Sequence, residues 1–222
     1  MFCLWYITAM KFSELLTIVQ DEPVFDTALL LAGNVDRAAI QRQLAKWRQT
    51  GHIYQLRRGL YSLAPPYRHV ASHPFLVANR LVGASYVSCE SALAWYSLIP
   101  EYTPVTVSVT TQRPDGWESP VGSFTFRHVK VDYLYGYELV EVAARQHAFV
   151  AYPEKALLDL IYLTPGGEAP AFLDELRLQN LAKLNPERLR QFAQRSGRPK
   201  LQRAIGHVLA LAEAQHEAYI SL

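Results

Sequence analysis

Three patterns predict an α+β protein built from an N-terminal winged helix-turn-helix, a mixed α/β domain with a mainly antiparallel sheet, and a helical C-terminal part. Helical spacing followed by a basic hairpin fills the stretch before Pro66. A two-residue alternation of apolar with polar side chains recurs between Val105 and Ala151, and helical spacing returns beyond Pro165. The domains expected from this are residues 1–66, with 1–9 as an extension, then 74–164, then a helical extension over 165–222 packed on the second domain.

The N-terminal elements follow from capping and spacing. Ser13 is placed to cap a first helix carrying Leu15, Leu16, Ile18 and Val19, which Glu22-Pro23 breaks. Asp26 caps a short helix from Thr27 to Ala32, and Gly33-Asn34 supplies the turn. Asp36 caps a third helix in which Ile40, Leu44 and Trp47 recur on one stripe, and Gly51 ends it as a left-handed residue. His52 to Leu56 and Leu60 to Leu63 read as strands of a hairpin with Arg57-Arg58-Gly59 at its tip. Pro65-Pro66 then ends the domain and begins a linker of about ten residues, an ordinary length.

Charge gives this segment a partner. From Arg37 to Arg58 there are six basic residues and no acidic one. The net charge of +2 conceals this, because the rest of the chain holds 16 basic against 20 acidic residues, a net of −4. The third helix turns Ala38, Arg42, Ala45 and Gln49 away from its apolar stripe, flanked by Gln41 and Lys46, with Arg37 at its start. Small residues admit a helix into a groove, and Arg and Gln make the bidentate contacts that read guanine and adenine. Two arginines at a hairpin tip reach phosphate or a minor groove. The DNA-binding set expected is therefore Arg37, Gln41, Arg42, Lys46, Gln49, Arg57 and Arg58, acting on double-stranded DNA. A solvated helix face is the alternative for the helix alone, and the basic hairpin tips the choice.

Beyond Pro74 a short helix holds Phe75, Leu76, Ala78 and Leu81, and Ser85 to Val87 form a strand. Ser88 caps a helix with Ala92, Leu93 and Tyr96, which Pro100 stops. Four more strands are expected around Val105 to Val109, Gly122 to Val131 with a bulge near Arg127, Leu139 to Val142 and His147 to Ala151. Thr164-Pro165-Gly166-Gly167 breaks the chain, and helices follow over Phe172 to Leu184, Pro186 to Arg195 and Lys200 to Ala218. The stripe Ile205, Val208, Leu209 and Ala212 is expected to pack on the middle domain or another subunit, and the arginines here to be solvated.

Several stretches together resemble the antitoxin component of AbiE-type (type IV) toxin–antitoxin systems. They are Gly51-His52-Ile53 through Leu56-Arg57-Arg58-Gly59-Leu60-Tyr61, and Ser85-Tyr86-Val87-Ser88-Cys89-Glu90-Ser91-Ala92-Leu93 ending in Leu98-Ile99-Pro100. Next come Val109-Thr110-Thr111, Gly122-Ser123-Phe124 with Phe126-Arg127-His128, and Ala151-Tyr152-Pro153-Glu154-Lys155-Ala156-Leu157-Leu158-Asp159-Leu160. The likeness covers roughly residues 10 to 164, and 165–222 have no match. It implies an AbiEi-like antitoxin and autorepressor whose winged helix binds inverted repeats in its own promoter, an arrangement that admits a homodimer. A second domain would oppose a cognate nucleotidyltransferase-type toxin. Members often carry His-Gly where Tyr96-Ser97 stands and Pro where Ala84 stands, so this chain departs from the pattern there.

A catalytic reading has one candidate. Glu154, Lys155 and Asp159 fall within about one helical turn, and with Glu90 they would form the site of a nucleic-acid-directed enzyme that uses the winged helix for targeting. The simpler account is helix stabilisation: Pro153 at the first position, Glu154 at the positive end and a Lys155–Asp159 pair at i,i+4. No catalytic residue, metal or cofactor is therefore expected. Cys89, near a helix start that would lower its thiol pKa, has no histidine placed to form a dyad, and the seven histidines are scattered.

Two cysteines far apart give no disulfide framework and suit a reducing cytoplasm. The apolar opening from Met1 to Ile7 is far shorter than the ~20 residues of a membrane span. It reads as an extension, with Met10 as an alternative start. A stand-alone transcriptional regulator is the remaining alternative.

Overall fold

The computed structural model describes residues 10–32, 36–101 and 103–220. The 1–9 extension and the Gly33-Asn34 turn lie outside the described residues. The chain is α+β and divides into two compact units, with Pro74 opening the second.

The first unit runs α1 (Phe12–Val19), β1 (Phe25–Asp26), α2 (Thr27–Leu30), α3 (Arg37–Gln49), β2 (Ile53–Arg57) and β3 (Leu60–Leu63). Its antiparallel sheet has the order β1-β3-β2, the element and strand order of a winged helix-turn-helix. Helix α1 begins two residues earlier than Ser13 predicts. Lys11 is its N-cap, and the Lys11 N–H donates to the Glu14 carboxylate at 2.8 Å, so a glutamate reaching back to the cap residue, and not a serine hydroxyl, marks the helix start. Strand β1 is too short to read from sequence; Phe25 and Asp26 pair with Tyr61 and Leu60.

Helix α3 obeys its signals closely. Asp36 accepts a hydrogen bond from the Ala38 N–H at 2.8 Å, and Gly51 takes φ +72° just past the end. Ile40, Leu44 and Trp47 are buried with Leu15, Val19, Phe25, Leu30, Ile53 and Leu63. Each fully buried large apolar side chain contributes about 1.5–3 kcal/mol, enough to fix which face of α3 points outward. Tyr67 stacks on His52 with ring centroids 5.0 Å apart. The residues just past Pro65-Pro66 therefore pack on this unit instead of starting a free linker.

The second unit contains α4 (Pro74–Leu81), β4 (Ser85–Val87), α5 (Cys89–Trp95), β5 (Val105–Thr110), β6 (Asp115–Ser119), β7 (Gly122–His128), β8 (Tyr137–Ala143), β9 (Gln146–Ala151) and α6 (Pro153–Leu163). After them come α7 (Pro170–Glu175), α8 (Pro186–Ser196) and α9 (Pro199–Ile220). The six-stranded sheet has the order β6-β7-β5-β4-β9-β8. It is mixed: β4–β5 and β8–β9 run antiparallel, whereas β5–β7 and β4–β9 run parallel. Strand β6, an edge strand inserted between β5 and β7 in sequence, turns the chain round before β7 pairs with β5, which makes that pair parallel. Its Pro114-Asp115-Gly116 start reads as a turn, and its side chains are largely exposed, so alternation does not reveal it.

Three local expectations change. The β5–β7 register continues through Val109–Arg127 to Thr110–His128 without a bulge; β7 simply ends there and Val131–Tyr133 form a 3-10 turn. Ser88 makes no capping bond to α5, because its hydroxyl is engaged in the core. The single helix expected from Phe172 to Leu184 is α7 followed by a 3-10 turn at Leu181–Lys183, with Arg177 and Asn180 at positive φ breaking it. Helix α8 keeps its boundary signals, Asn185 accepting from the Glu187 and Arg188 N–H groups and Gly197 closing it at φ +62°.

On α9, Leu201, Ala204 and Val208 are fully buried while Ile205, Leu209 and Ala212 are half-buried. The packed stripe thus lies slightly round from the predicted one, against α6, α7 and α8. Among the described residues no helix is long and apolar enough to cross a membrane.

Candidate nucleic-acid interface

With Ile40, Leu44 and Trp47 committed to the core, the polar residues of α3 fall on two rows about 100° apart around the helix. One row holds Arg37, Gln41, Ala45 and Arg48; it borders a groove of about 510 Å³ whose other wall is the hairpin, with Gln55, Arg58, Gly59 and Tyr61. The other row, Arg42, Lys46 and Gln49, is exposed beside the groove without lining it. Arg42 reaches back to Asp36 at 3.6 Å and stays 71% exposed.

The hairpin tip is held, not loose. Gly59 adopts φ +83°, a conformation that glycine tolerates without strain. Its carbonyl accepts from the Thr27 N–H at 2.9 Å, tying the tip to the start of α2. That bond places Arg58 on the groove wall facing α3. Arg57 is exposed and its Nη1 donates to the Arg58 carbonyl at 3.5 Å.

Of the residues expected from sequence, Arg37, Gln41 and Arg58 converge on the groove, and Arg42, Lys46, Gln49 and Arg57 surround it on exposed surface. Sequence reasoning passed over Arg48 and Gln55 as groove residues. Arg48 stands eleven residues after Arg37, about three helical turns, so the helical spacing itself carried the signal. Arg48 Nη1 donates to Gln55 Oε1 at 2.6 Å, and Gln55 Nε2 donates to the Tyr61 hydroxyl at 3.5 Å. The residues lining the groove include three arginines and no acid, and such a surface attracts polyanions.

The other polar cluster lies in the second unit and has a different character. Lys155 and Asp159 form an ion pair with both side chains fully buried. Lys155 Nζ also donates to the Tyr86 hydroxyl at 2.8 Å and sits 4.0 Å from the Tyr133 ring centre. Asp159 Oδ2 accepts from Ser88 Oγ at 2.6 Å and from Tyr86 at 3.0 Å. Burial pulls the Lys155 ammonium down from its ordinary pKa, with Asp159 opposing that shift.

The same burial, with Asp159 adding, drives the Tyr86 hydroxyl far above its ordinary pKa. Cys89, also sealed, has its thiol pushed up by burial and not lowered by the helix start. This corrects the expectation that the helix start lowers the Cys89 pKa. The Lys155–Asp159 pair forms at i,i+4 as expected, and it is buried, because α6 is packed on all sides from Glu154 to Ile161.

Glu154 is engaged elsewhere, accepting from the Asn185 N–H at 2.6 Å and standing 3.5 Å from Arg188. Glu90 lines a separate hollow with Arg127 and Val107. The four groups of the catalytic reading therefore do not face one cavity. Among the described residues no three His, Cys, Asp or Glu side chains gather as a metal ion would need.

No protein-family model matches the chain, and no curated protein matches it either. Among solved structures it is similar to the crystal structure of the RV2827C protein from Mycobacterium tuberculosis. The match has a TM-score of 0.56 at 18% identity, over 90% of this chain and 76% of that one. At that identity the likeness is one of fold.

Proposed function

We propose that this protein is a sequence-specific DNA-binding antitoxin and autorepressor of a type IV toxin–antitoxin operon. It would be cytoplasmic, non-enzymatic and opposed to a nucleotidyltransferase-type toxin. The observation that carries the reading is the convergence of Arg37, Gln41, Arg48 and Arg58 on one acid-free groove between α3 and the hairpin. Arg42, Lys46, Gln49 and Arg57 extend that surface. The antitoxin half rests on the resemblance of residues 10 to 164 to AbiEi-type antitoxins, quoted above. Against an enzyme stands the sealing of Lys155 and Asp159 away from solvent, since a catalytic pair must meet its substrate.

Titrating the full chain against a duplex from its own upstream region and a scrambled duplex, over a salt series, tests the DNA half. The log–log slope should be about −0.9 per phosphate neutralised. Changing Arg57 and Arg58 together to Ala should weaken both duplexes alike and flatten the slope by about two phosphates' worth. Arg42→Ala should instead narrow the gap between operator and scrambled DNA. Absence of salt-dependent duplex binding in the unaltered protein would overturn the reading.

A further inference from the structure

We propose that the groove between α3 and the β2–β3 hairpin seats one strand of the duplex backbone, and that Arg48, oriented by Gln55 and Tyr61, is its phosphate clamp. The inference rests on the DNA-binding reading and divides the labour within it. The groove-lining arginines, Arg37 and Arg48 of α3 with Arg58 of the hairpin, hold phosphate, and the exposed row Arg42, Lys46 and Gln49 faces base edges.

Duplex geometry makes the first part of the argument. A helix lying in the major groove and a hairpin tip reaching the adjacent minor groove are separated by one sugar-phosphate strand, since that strand is the wall between the two grooves. The strand must pass through whatever space the protein leaves between helix and tip. Here that space is the hollow of about 510 Å³ lined by Arg37, Arg48 and Arg58. Its walls offer hydrogen-bond donors and positive charge, the chemistry of a phosphate and not of a base stack.

Arg48 supplies the second part. An unrestrained arginine gives up much rotamer freedom when it grips a ligand. The 2.6 Å bond to Gln55, itself held by Tyr61, settles the Arg48 conformation before DNA arrives. A guanidinium has five N–H donors, so this bond leaves others for a phosphate. Gln55 is neutral and fixes the position of Arg48 without cancelling its charge; a carboxylate there would orient it equally well and abolish its use. Gln55 and Tyr61 are therefore positioning residues, acting through Arg48.

The test is anisotropy titration of the full chain on the operator and scrambled duplexes between low and moderate salt, with unfolding midpoints measured in parallel. Arg48→Ala should lower affinity for both duplexes by the same factor, about tenfold, and reduce the log–log slope by about 0.9. Gln55→Met keeps every charge, so the slope should stay at the unaltered value while affinity falls severalfold on both duplexes alike. Arg48→Lys should also retain the slope and lose affinity. This keeps the proposal testable if the alanine variant fails to fold.

A steep slope in the unaltered protein that survives Arg48→Ala would overturn the clamp and leave the DNA-binding reading standing. Loss confined to the operator duplex would make Arg48 a base reader and overturn the division of labour. Full affinity in Gln55→Met would overturn the positioning role. An unaltered protein without salt-dependent binding would sink the DNA-binding reading itself, and the clamp with it.

Discussion

Lys155 and Asp159 show how much a single buried pair can decide. Moving two charges out of water costs several kcal/mol each, and their attraction offsets this only when the remaining donors and acceptors are satisfied. Tyr86 and Ser88 satisfy the carboxylate, while the rings of Tyr133, Tyr135 and Tyr86 surround the ammonium within 5.3 Å. Asp159→Asn should therefore destabilise the protein by about 3–5 kcal/mol, because it strands a buried cation. Removing both charges with Lys155→Met and Asp159→Asn should restore much of that loss. Urea unfolding of the two single variants and the double variant measures the coupling; additive losses would mean the pair is not a unit. The i,i+4 pairing was legible in the sequence, and its depth was not, since spacing fixes which residues meet but says nothing of what covers them. The clue available was composition: Ala156, Leu157, Leu158, Leu160 and Ile161 spread over an arc of about 200° around α6, roughly twice the ~100° stripe that a surface helix turns to the core.

The second unit's C-terminal helices are attached through arginines that the sequence alone assigned to solvent. Arg188 lies over the Tyr152 ring at 4.4 Å, Arg195 over Tyr135 at 4.0 Å, and Arg198 over Tyr162 at 5.6 Å. Each such contact contributes about 0.5–1 kcal/mol or more, so these cations serve docking. The tyrosines precede the arginines by some 36 to 60 residues, and no local pattern announces pairing over that distance. Glu168 adds an ionic clamp to the start of α9, with Lys200 at 3.6 Å and Arg203 at 3.3 Å. A hydrogen bond from its own backbone, helped by Lys200 and Arg203, holds the Glu168 carboxyl below the usual carboxylate range. A folded-state pKa lowered in this way contributes stability above the unfolded value of 4.5 and loses it as pH falls through the folded value. Glu168→Gln should accordingly flatten the acid limb of the stability profile, and the stability gap between the two proteins should close as the pH falls below about 4.5. Chemical denaturation at a series of acidic pH values reads this directly; parallel profiles would exclude the clamp as a source of acid sensitivity. A packing constraint of the same scale sits at Gly136, where φ is +74° and an added Cβ would come within 3.0 Å of Lys155 Cγ and Phe192. Gly136→Ala should cost about 1–3 kcal/mol in thermal or urea unfolding.

At the scale of the whole molecule, the two units differ in how far sequence could reach them. The winged helix was readable almost element by element because caps, a glycine turn and a localised charge excess are local signals; the two-residue β1, the Lys11 cap of α1, the packing of Tyr67 and the groove roles of Arg48 and Gln55 escaped. The six-stranded sheet was not, because its order depends on an exposed edge strand at Asp115–Ser119 and on parallel pairings between segments far apart in sequence. The proposed function makes a prediction at this scale. The positive surface belongs to the first unit, and the buried Lys155–Asp159 network belongs to the second. If operator binding resides in the first unit and toxin neutralisation needs the second, then the Arg57→Ala, Arg58→Ala double variant should lose repression of a promoter reporter yet still protect cells expressing the neighbouring nucleotidyltransferase. Asp159→Asn should fail to protect in proportion to the folded protein it loses. Co-purification of the double variant with the toxin would then identify direct binding as the means of protection, whereas loss of protection in step with loss of repression would place both activities on the DNA-facing surface.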